Sequence, residues 1–272
     1  MEHGSIRVGD VDVVVVCEGF APLDLADEMP DVEVDWVAQR ATFPWAFIDD
    51  DAWPWHVHAF VVRTANGVVM VDTGLGDLPP IRPWAEPIAR DEALAGAGVD
   101  PAEVRAVVHT HLHADHAGGA VVGGPPRFPN AIHHAHPADW SFFGRADRIG
   151  GYTARGSMDE LERLGMMDLR EEDHAVASGV RVVHAPGHTP GHRVAIVESH
   201  GETLLLTGDL LHIPIQVALP GSPSNHDVEP DLACHSRATV LGHAREGGWN
   251  VGVSHFARPF GRVGSEGWRP AA

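Results

Sequence analysis

The tightest constraint on this chain lies at residues 109 to 119, His-Thr-His-Leu-His-Ala-Asp-His-Ala-Gly-Gly. Inside it His111, His113, Asp115 and His116 form an H-x-H-x-D-H pattern. The apolar run Val104 to Val108 stands directly before it and reads as a buried strand. The four side chains therefore fall where a strand ends and a turn begins, a stiff place for holding metal ligands. His111 and His113 are two residues apart, so on a strand end they point to one side. Asp115 and His116 are adjacent and are expected to diverge, which suits two metals better than one. Imidazole and carboxylate are ligands for zinc, and also for iron, manganese or cobalt.

Further candidate ligands follow at other strand ends. Val180 to His184 reads as a strand and runs into Ala185-Pro186-Gly187-His188-Thr189-Pro190-Gly191-His192. Strands at 193–198 and 203–207 end in Thr207-Gly208-Asp209, and a last strand, Asn250 to Ser254, ends at His255. That makes seven groups, five of them imidazoles. Two metals sharing one carboxylate would use all seven. The natural division is His111, His113 and His188 on one ion, and Asp115, His116 and His255 on the other. Asp209 bridges, because a carboxylate has two oxygens and an imidazole has one free nitrogen.

Other polar residues carry weaker signals. Asp72 ends the run Val68 to Val71 and either orients a ligand or caps the turn. His56, His58, His109, His184 and His192 read as structural. His133, His134 and His136 read as surface or strand-edge histidines, because no carboxylate or cysteine stands beside them in sequence. Phe256, Arg258 and Phe260 follow His255 as pocket-wall candidates, with Arg258 either holding a substrate carboxylate or, the preferred reading, sitting in solvent.

Composition narrows the function classes. The net charge is −19, which repels phosphate backbones and argues against nucleic acid as a partner. All 19 basic residues are arginine, which removes P-loop and lysine Schiff-base chemistry. Two isolated cysteines, Cys17 and Cys234, give no disulfide framework. No apolar run approaches 18 residues, so no membrane partner is expected. The start MEHGSIRVGD has no basic-then-apolar signal, so a cytoplasmic location is expected.

The chain reads as one domain over residues 1–272. Residues 6–17 are strand-like. Residues 18–56 are acidic and rich in Trp and Phe without a clear period, which is unlike a core strand; they read as a lid, a pocket wall or a subunit interface, and a homodimer fits the last. Asn66-Gly67 between apolar runs marks a hairpin. Helices are expected over 84–97, from the capping box Ser157-Met158-Asp159-Glu160, and from Pro230 to Glu246.

H-x-H-x-D-H, Pro-Gly-His-Thr-Pro-Gly-His, Thr-Gly-Asp and a late Ser-His, taken in this order, resemble the metallo-β-lactamase superfamily over roughly residues 57–256. The resemblance implies an α+β fold, a four-layer αββα sandwich, with the site between the halves at the sheet edges. It implies the same division of ligands and two divalent ions, zinc first, with Mn, Fe or Co as alternatives. Two such ions, roughly 3.5–4 Å apart, lower the pKa of a bridging water from 15.7 to about 7, and the hydroxide attacks a carbonyl or phosphoryl centre. Asp115 is then a catalytic residue that orients the hydroxide and carries its proton to the leaving group. In lactonases of this superfamily a Tyr that assists the substrate oxygen often stands where this chain departs with His212; His212 either contacts the substrate or donates a proton, or else supports the ligands from behind.

Departures from other branches sort the substrate. Class B1 β-lactamases carry Cys where Asp209 stands, and class B3 enzymes lack a bridging acid there. Glyoxalase II enzymes add a basic C-terminal domain, which does not follow His255 here. Flavodiiron-type members replace a first-motif histidine with an acid, and all three are intact. The expected function is a dinuclear metal-dependent hydrolase acting through a metal-bridging hydroxide on a small neutral ester, foremost a lactone. Glyoxalase II-type thioesterase, organophosphate triesterase and a catalytically silent metal- or ligand-binding domain are the alternatives.

Overall fold

The N-terminal valine run folds as a hairpin, not as the single strand expected over 6–17. β1 (Ser5–Val8) turns at Gly9-Asp10 into β2 (Val11–Asp24). Gly9 has φ +53°, and a Cβ there would lie 2.6 Å from the Ser199 carbonyl oxygen, so the turn needs glycine. The computed structural model describes residues 4–29, 32–50, 52–76, 90–144, 153–156, 158–265 and 267–271.

β2 pairs antiparallel with β3 (Ala52–Thr64), from Asp12↔Arg63 to Asp24↔Ala52, with a register shift between Cys17 and Phe20. Both flanks of the aromatic stretch 18–56 are therefore strand, contrary to expectation. Trp53 and Trp55 are 1% and 4% exposed. A strand buried on both faces shows no alternation, so period two does not reveal it. Between the flanks lie α1 (Leu25–Glu28), α2 (Trp36–Thr42) and a 3-10 turn, Pro44–Ala46.

β4 (Gly67–Val71) closes the expected hairpin with β3. β5 (Val104–Val108), β6 (Ile132–Ala135) and β7 (Met167–Leu169) then add in parallel, giving a seven-stranded sheet in chain order. The helices of this half are α3 (Arg90–Gly96), α4 (Ala114–Ala117), α5 (Pro137–Phe143) and α6 (Asp159–Arg163). Residues 84–89 of the expected helix, and Ser157 of the expected capping box, lie outside the described residues.

The second sheet holds β8 (His174–Ala177), β9 (Val180–His184), β10 (Arg193–Ser199), β11 (Glu202–Leu206), β12 (Asn250–Gly252), β13 (Phe260–Gly264) and β14 (Gly267–Pro270). It is also seven-stranded, and only the β11–β12 pair is parallel. α7 (Ile215–Ala218) and α8 (Pro230–Glu246) complete the chain, and α8 keeps the ends read from its Pro and Gly signals. No helix among the described residues is long and apolar enough to cross a membrane.

The two sheets pack face to face through Val13, Val62 and Val108 on one side and Val182, Ala195 and Leu206 on the other. The outer face of the first sheet, with Met70 and Val107, is covered by Ala93 and Leu94 of α3. The outer face of the second, with Val194 and Val251, is covered by Leu241 and Ala244 of α8. This is a four-layer αββα sandwich, an α+β fold. Each fully buried Val or Leu contributes roughly 1.5–3 kcal/mol, so the central layer fixes the two halves against each other.

Candidate metal centre

β4 and β5 run parallel in the first sheet, and β9, β11 and β12 share one direction in the second. Every expected ligand lies just beyond the C-terminal end of one of these strands. All seven are brought together, and each is buried or nearly so. His111 Nε2 lies 2.9 Å from His113 Nδ1, which lies 3.1 Å from His188 Nε2. Asp209 Oδ2 is 3.5 Å from His111 Nε2 and 3.3 Å from His188 Nε2. On the other side Asp209 Oδ1 is 2.9 Å from both His116 Nε2 and His255 Nε2. Asp115 Oδ2 is 3.1 Å from His116 Nε2 and 3.6 Å from His255 Nε2.

Asp115 and His116 do not diverge as adjacency suggested. They sit in the single turn of α4, and the long imidazole swings its tip back to the carboxylate. What separates two ion positions is Asp209, which turns one oxygen to each set.

The donor set fits the two ions that the fold implies. Ligands 2.0–2.2 Å from a tetrahedral zinc stand about 3.3 Å apart, the spacing found on both sides. His116 Nε2, His255 Nε2 and Asp209 Oδ1 are buried and converge on one another without well-aligned hydrogen bonds, as ligand atoms around an ion do. Burial, then His116, holds His111 well below the ordinary imidazole range, which keeps the ring neutral and able to ligate. Burial also opposes charge on His116, but Asp209, Asp115 and Asp72 outweigh it and raise its pKa well above that range. The carboxylates thus call for positive charge at the centre.

The outer ring nitrogens are anchored. His116 Nδ1 donates to Asp72 Oδ2 at 2.8 Å, and His188 Nδ1 faces Asp227 Oδ1 at 3.3 Å. His255 Nδ1 donates to the His56 carbonyl at 2.6 Å. The Thr110 hydroxyl donates to Asp72, so it accepts from His111 Nδ1 at 3.1 Å. Each bond fixes a tautomer that leaves the other nitrogen's lone pair toward the centre. Asp72 therefore orients His116, and it also receives the Thr110 amide at 2.8 Å. Its φ is +61°, a left-handed conformation that Asp tolerates better than most residues. Asp72→Ala is expected to weaken metal binding about 10- to 100-fold, measured by competition with a chromogenic chelator. Affinity equal to wild type would remove Asp72 from the site.

His192 acts structurally as expected. Its Nδ1 donates to the Ala185 carbonyl, and its Nε2 accepts the Asp209 amide at 3.1 Å, which holds the shared carboxylate in place. Gly208 beside it has φ +52°, and a Cβ there would come within 2.7 Å of Thr110 Cβ. His109 is buried, with its Nε2 3.0 Å from His133 Nδ1. His133, His134 and His136 are all buried, not at the surface: β7 pairs with β6 along His133 and His134, and His136 stacks on His184. Phe256 and Phe260 belong to the core layers rather than to the cleft wall, and Arg258 faces solvent.

A cleft of about 130 Å³ opens onto the centre, lined by Leu23, Trp55, His113, Asp115, His188, Asp209, His212 and His226. His212 Nε2 is 3.3 Å from Asp209 Oδ2, and its Nδ1 is 3.9 Å from Glu28 Oε1. Burial works against charge on His212, yet Glu28 and Asp209 raise its pKa to about 9. Glu28 is 1% exposed, accepts from the Ser224 hydroxyl at 2.6 Å and faces His226 Nε2 at 3.4 Å. Glu28, His226 and Asp227 escape the sequence reading. They lie in loops or in a four-residue helix, and only the fold brings them to the site.

The model of the metallo-beta-lactamase superfamily matches residues 52–247. The chain belongs to that superfamily. Among curated relatives, the N-acyl homoserine lactonase AttM of Rhizobium radiobacter is 31% identical over 124 residues, 43% of this chain and 45% of the relative. An N-acyl homoserine lactonase of a Bacillus species is 27% identical over 177 residues, 56% of this chain and 63% of the relative. The chain thus spans between about half and two thirds of the length of these relatives. Among solved structures, AidC, a dizinc quorum-quenching lactonase in complex with a product, superposes with a TM-score of 0.84 at 20% identity, covering 99% of this chain and 97% of that one. The hydrolase AbOPH of the beta lactamase superfamily gives 0.85 at 19% identity, over 100% and 98%. These two likenesses show the fold.

Proposed function

We propose that this protein is a dinuclear metal-dependent hydrolase that opens a small neutral lactone, with N-acyl homoserine lactones as the first class to try. The observation that carries this reading is Asp209, whose two oxygens each face a separate buried histidine set beside an open cleft. The curated lactonases support the substrate class. His111, His113 and His188 would hold one ion, His116, His255 and Asp115 the other, and Asp209 both. Zinc suits these ligands best. Bound there, the ions supply a Lewis acid for the carbonyl and a water activated for attack.

The chain's own residues do the rest. Asp115 turns Oδ2 to the second set, which leaves its other oxygen to take the proton of the attacking water and return it to the leaving alkoxide. His212 stands in the cleft between Glu28 and Asp209, and its Nε2 is placed to donate a hydrogen bond to the lactone carbonyl oxygen. Gln216 Oε1 accepts the His212 amide at 2.7 Å and fixes that residue's backbone. Leu23 and Trp55 give the cleft an apolar wall for an acyl chain and exclude water.

Metal-loaded protein is expected to turn over an N-acyl homoserine lactone faster than a thioester or a phosphotriester. Turnover of the thioester alone, or of none, overturns the reading. His212→Phe is expected to keep its metal content while kcat falls on the order of 10²-fold or more, the usual cost of removing one donor aimed at developing charge. Unchanged kcat would take His212 out of the chemistry.

A further inference from the structure

We propose a third metal site, built from His134, Asp168 and His174, where the chain crosses from the first sheet to the second. It stands apart from the seven ligands above and uses none of them. His134 on β6 and Asp168 on β7 are direct partners in the parallel ladder, so their side chains share a face. His174 is the first residue of β8, the edge strand of the other sheet. The three ligand atoms lie within 4.8 Å of one another.

The spacing matches that of the main centre. His134 Nδ1 is 3.2 Å from Asp168 Oδ2 and 3.3 Å from His174 Nε2. Those are tetrahedral edge lengths for ligands about 2.0–2.2 Å from a zinc-sized cation.

Proton counting points the same way. His174 Nδ1 lies 3.0 Å from the Glu172 carbonyl, which only accepts, so Nδ1 carries the proton. In neutral His174 the Nε2 then presents a lone pair. Asp168 Oδ2 presents another. His134 Nδ1 has at most one proton to offer and two acceptors facing it. A divalent cation satisfies all three atoms at once. The His174 Nδ1–H on a carbonyl is also the outer bond that fixes a ligating imidazole.

The surroundings favour a borderline cation with one open position. Asp168 turns Oδ1 to Arg170 at 3.0 Å and keeps Oδ2 for the site. Glu171, Glu172 and Asp173 lie on the crossing itself and offset the nearby arginines. His134 is 8% exposed, while Asp168 and His174 are only half-buried, so an ion and one water can enter from solvent. Two imidazoles and one carboxylate suit zinc or another first-row divalent ion rather than calcium or magnesium. An ion here clasps the crossing 170–173 between the sheets.

The test is metal content of the full-length protein saturated with zinc, followed by desalting and elemental analysis. His174→Ala and Asp168→Asn are each expected to hold one ion fewer per chain than wild type, with circular dichroism unchanged. The readout is this difference, so it does not depend on how many ions the main centre retains or on any activity. With cobalt in place of zinc, the wild-type visible spectrum is expected to lose one component in both variants. Equal ion counts in wild type and folded variants overturn the proposal and leave a hydrogen-bonded trio sharing protons.

Discussion

Asp209→Ala is expected to strip both halves of the centre at once. Each remaining ion position would keep three protein groups, His111, His113 and His188 or Asp115, His116 and His255. Its shared oxygen would be gone on both sides, because Oδ1 serves one set and Oδ2 the other. A ligand that touches one set predicts a different result. His113→Ala disturbs only the set of His111 and His188, so it should retain part of the metal. Removing a single preorganised electrostatic group costs on the order of 10²–10³ in rate, and Asp209 acts on both positions, so its loss should reach at least the upper end. The measurement is lactonase rate with ion content for the two variants side by side. If Asp209→Ala keeps two tightly held ions, the carboxylate does not bridge, and the dinuclear reading fails with it.

Much of this centre was legible because its information is local. H-x-H-x-D-H follows the run that becomes β5, Pro-Gly-His follows β9, and Thr-Gly-Asp follows β11. A strand end fixes direction, so each motif points to its place in the fold. The groups behind the ligands are different. Asp72 was read as two equal possibilities, since a turn-capping Asp and one that reaches His116 look alike in sequence. Glu28 meets Ser224 across 196 positions, and no local pattern encodes that. His134 was misread for the same reason, because its carboxylate, Asp168, stands on the neighbouring strand. The start of β3 escapes the pattern because Trp53, Trp55 and the residues around them are buried on both faces, whereas the end of β2 is hidden by Gly19 and Pro22, residues that ordinarily interrupt a strand. A period of two is visible only where one face meets water.

Arg237 is where the fold's stability and the centre are coupled most directly. It lies on α8 with no exposure. Its Nε donates to the Leu210 carbonyl at 2.6 Å, and one Nη donates to the Ser222 carbonyl at 2.8 Å. Its other Nη meets Asp227 Oδ2 at 3.2 Å, and Asp227 Oδ1 faces His188 Nδ1. Burial disfavours the Asp227 charge, but His188, His212 and Arg237 outweigh it and hold the carboxyl below its ordinary range. One guanidinium thus ties the chain after Asp209, the loop at Ser222 and a histidine ligand into a single network. Arg237→Ala leaves Asp227 as a buried charge without its cation, which costs about 3–5 kcal/mol. At about 2–4 °C per kcal/mol for a chain of this order of size, the melting temperature should fall by about 10 °C. Lysine should not rescue it, because a point charge cannot serve Leu210, Ser222 and Asp227 together. The double variant Asp227→Leu with Arg237→Met separates the two roles: apolar packing should recover much of the stability, while His188, without its partner, should still bind metal about 10- to 100-fold more weakly. A melting temperature within 2–4 °C of wild type for Arg237→Ala, equivalent to about 1 kcal/mol, would mean that the network is not what holds His188 in place.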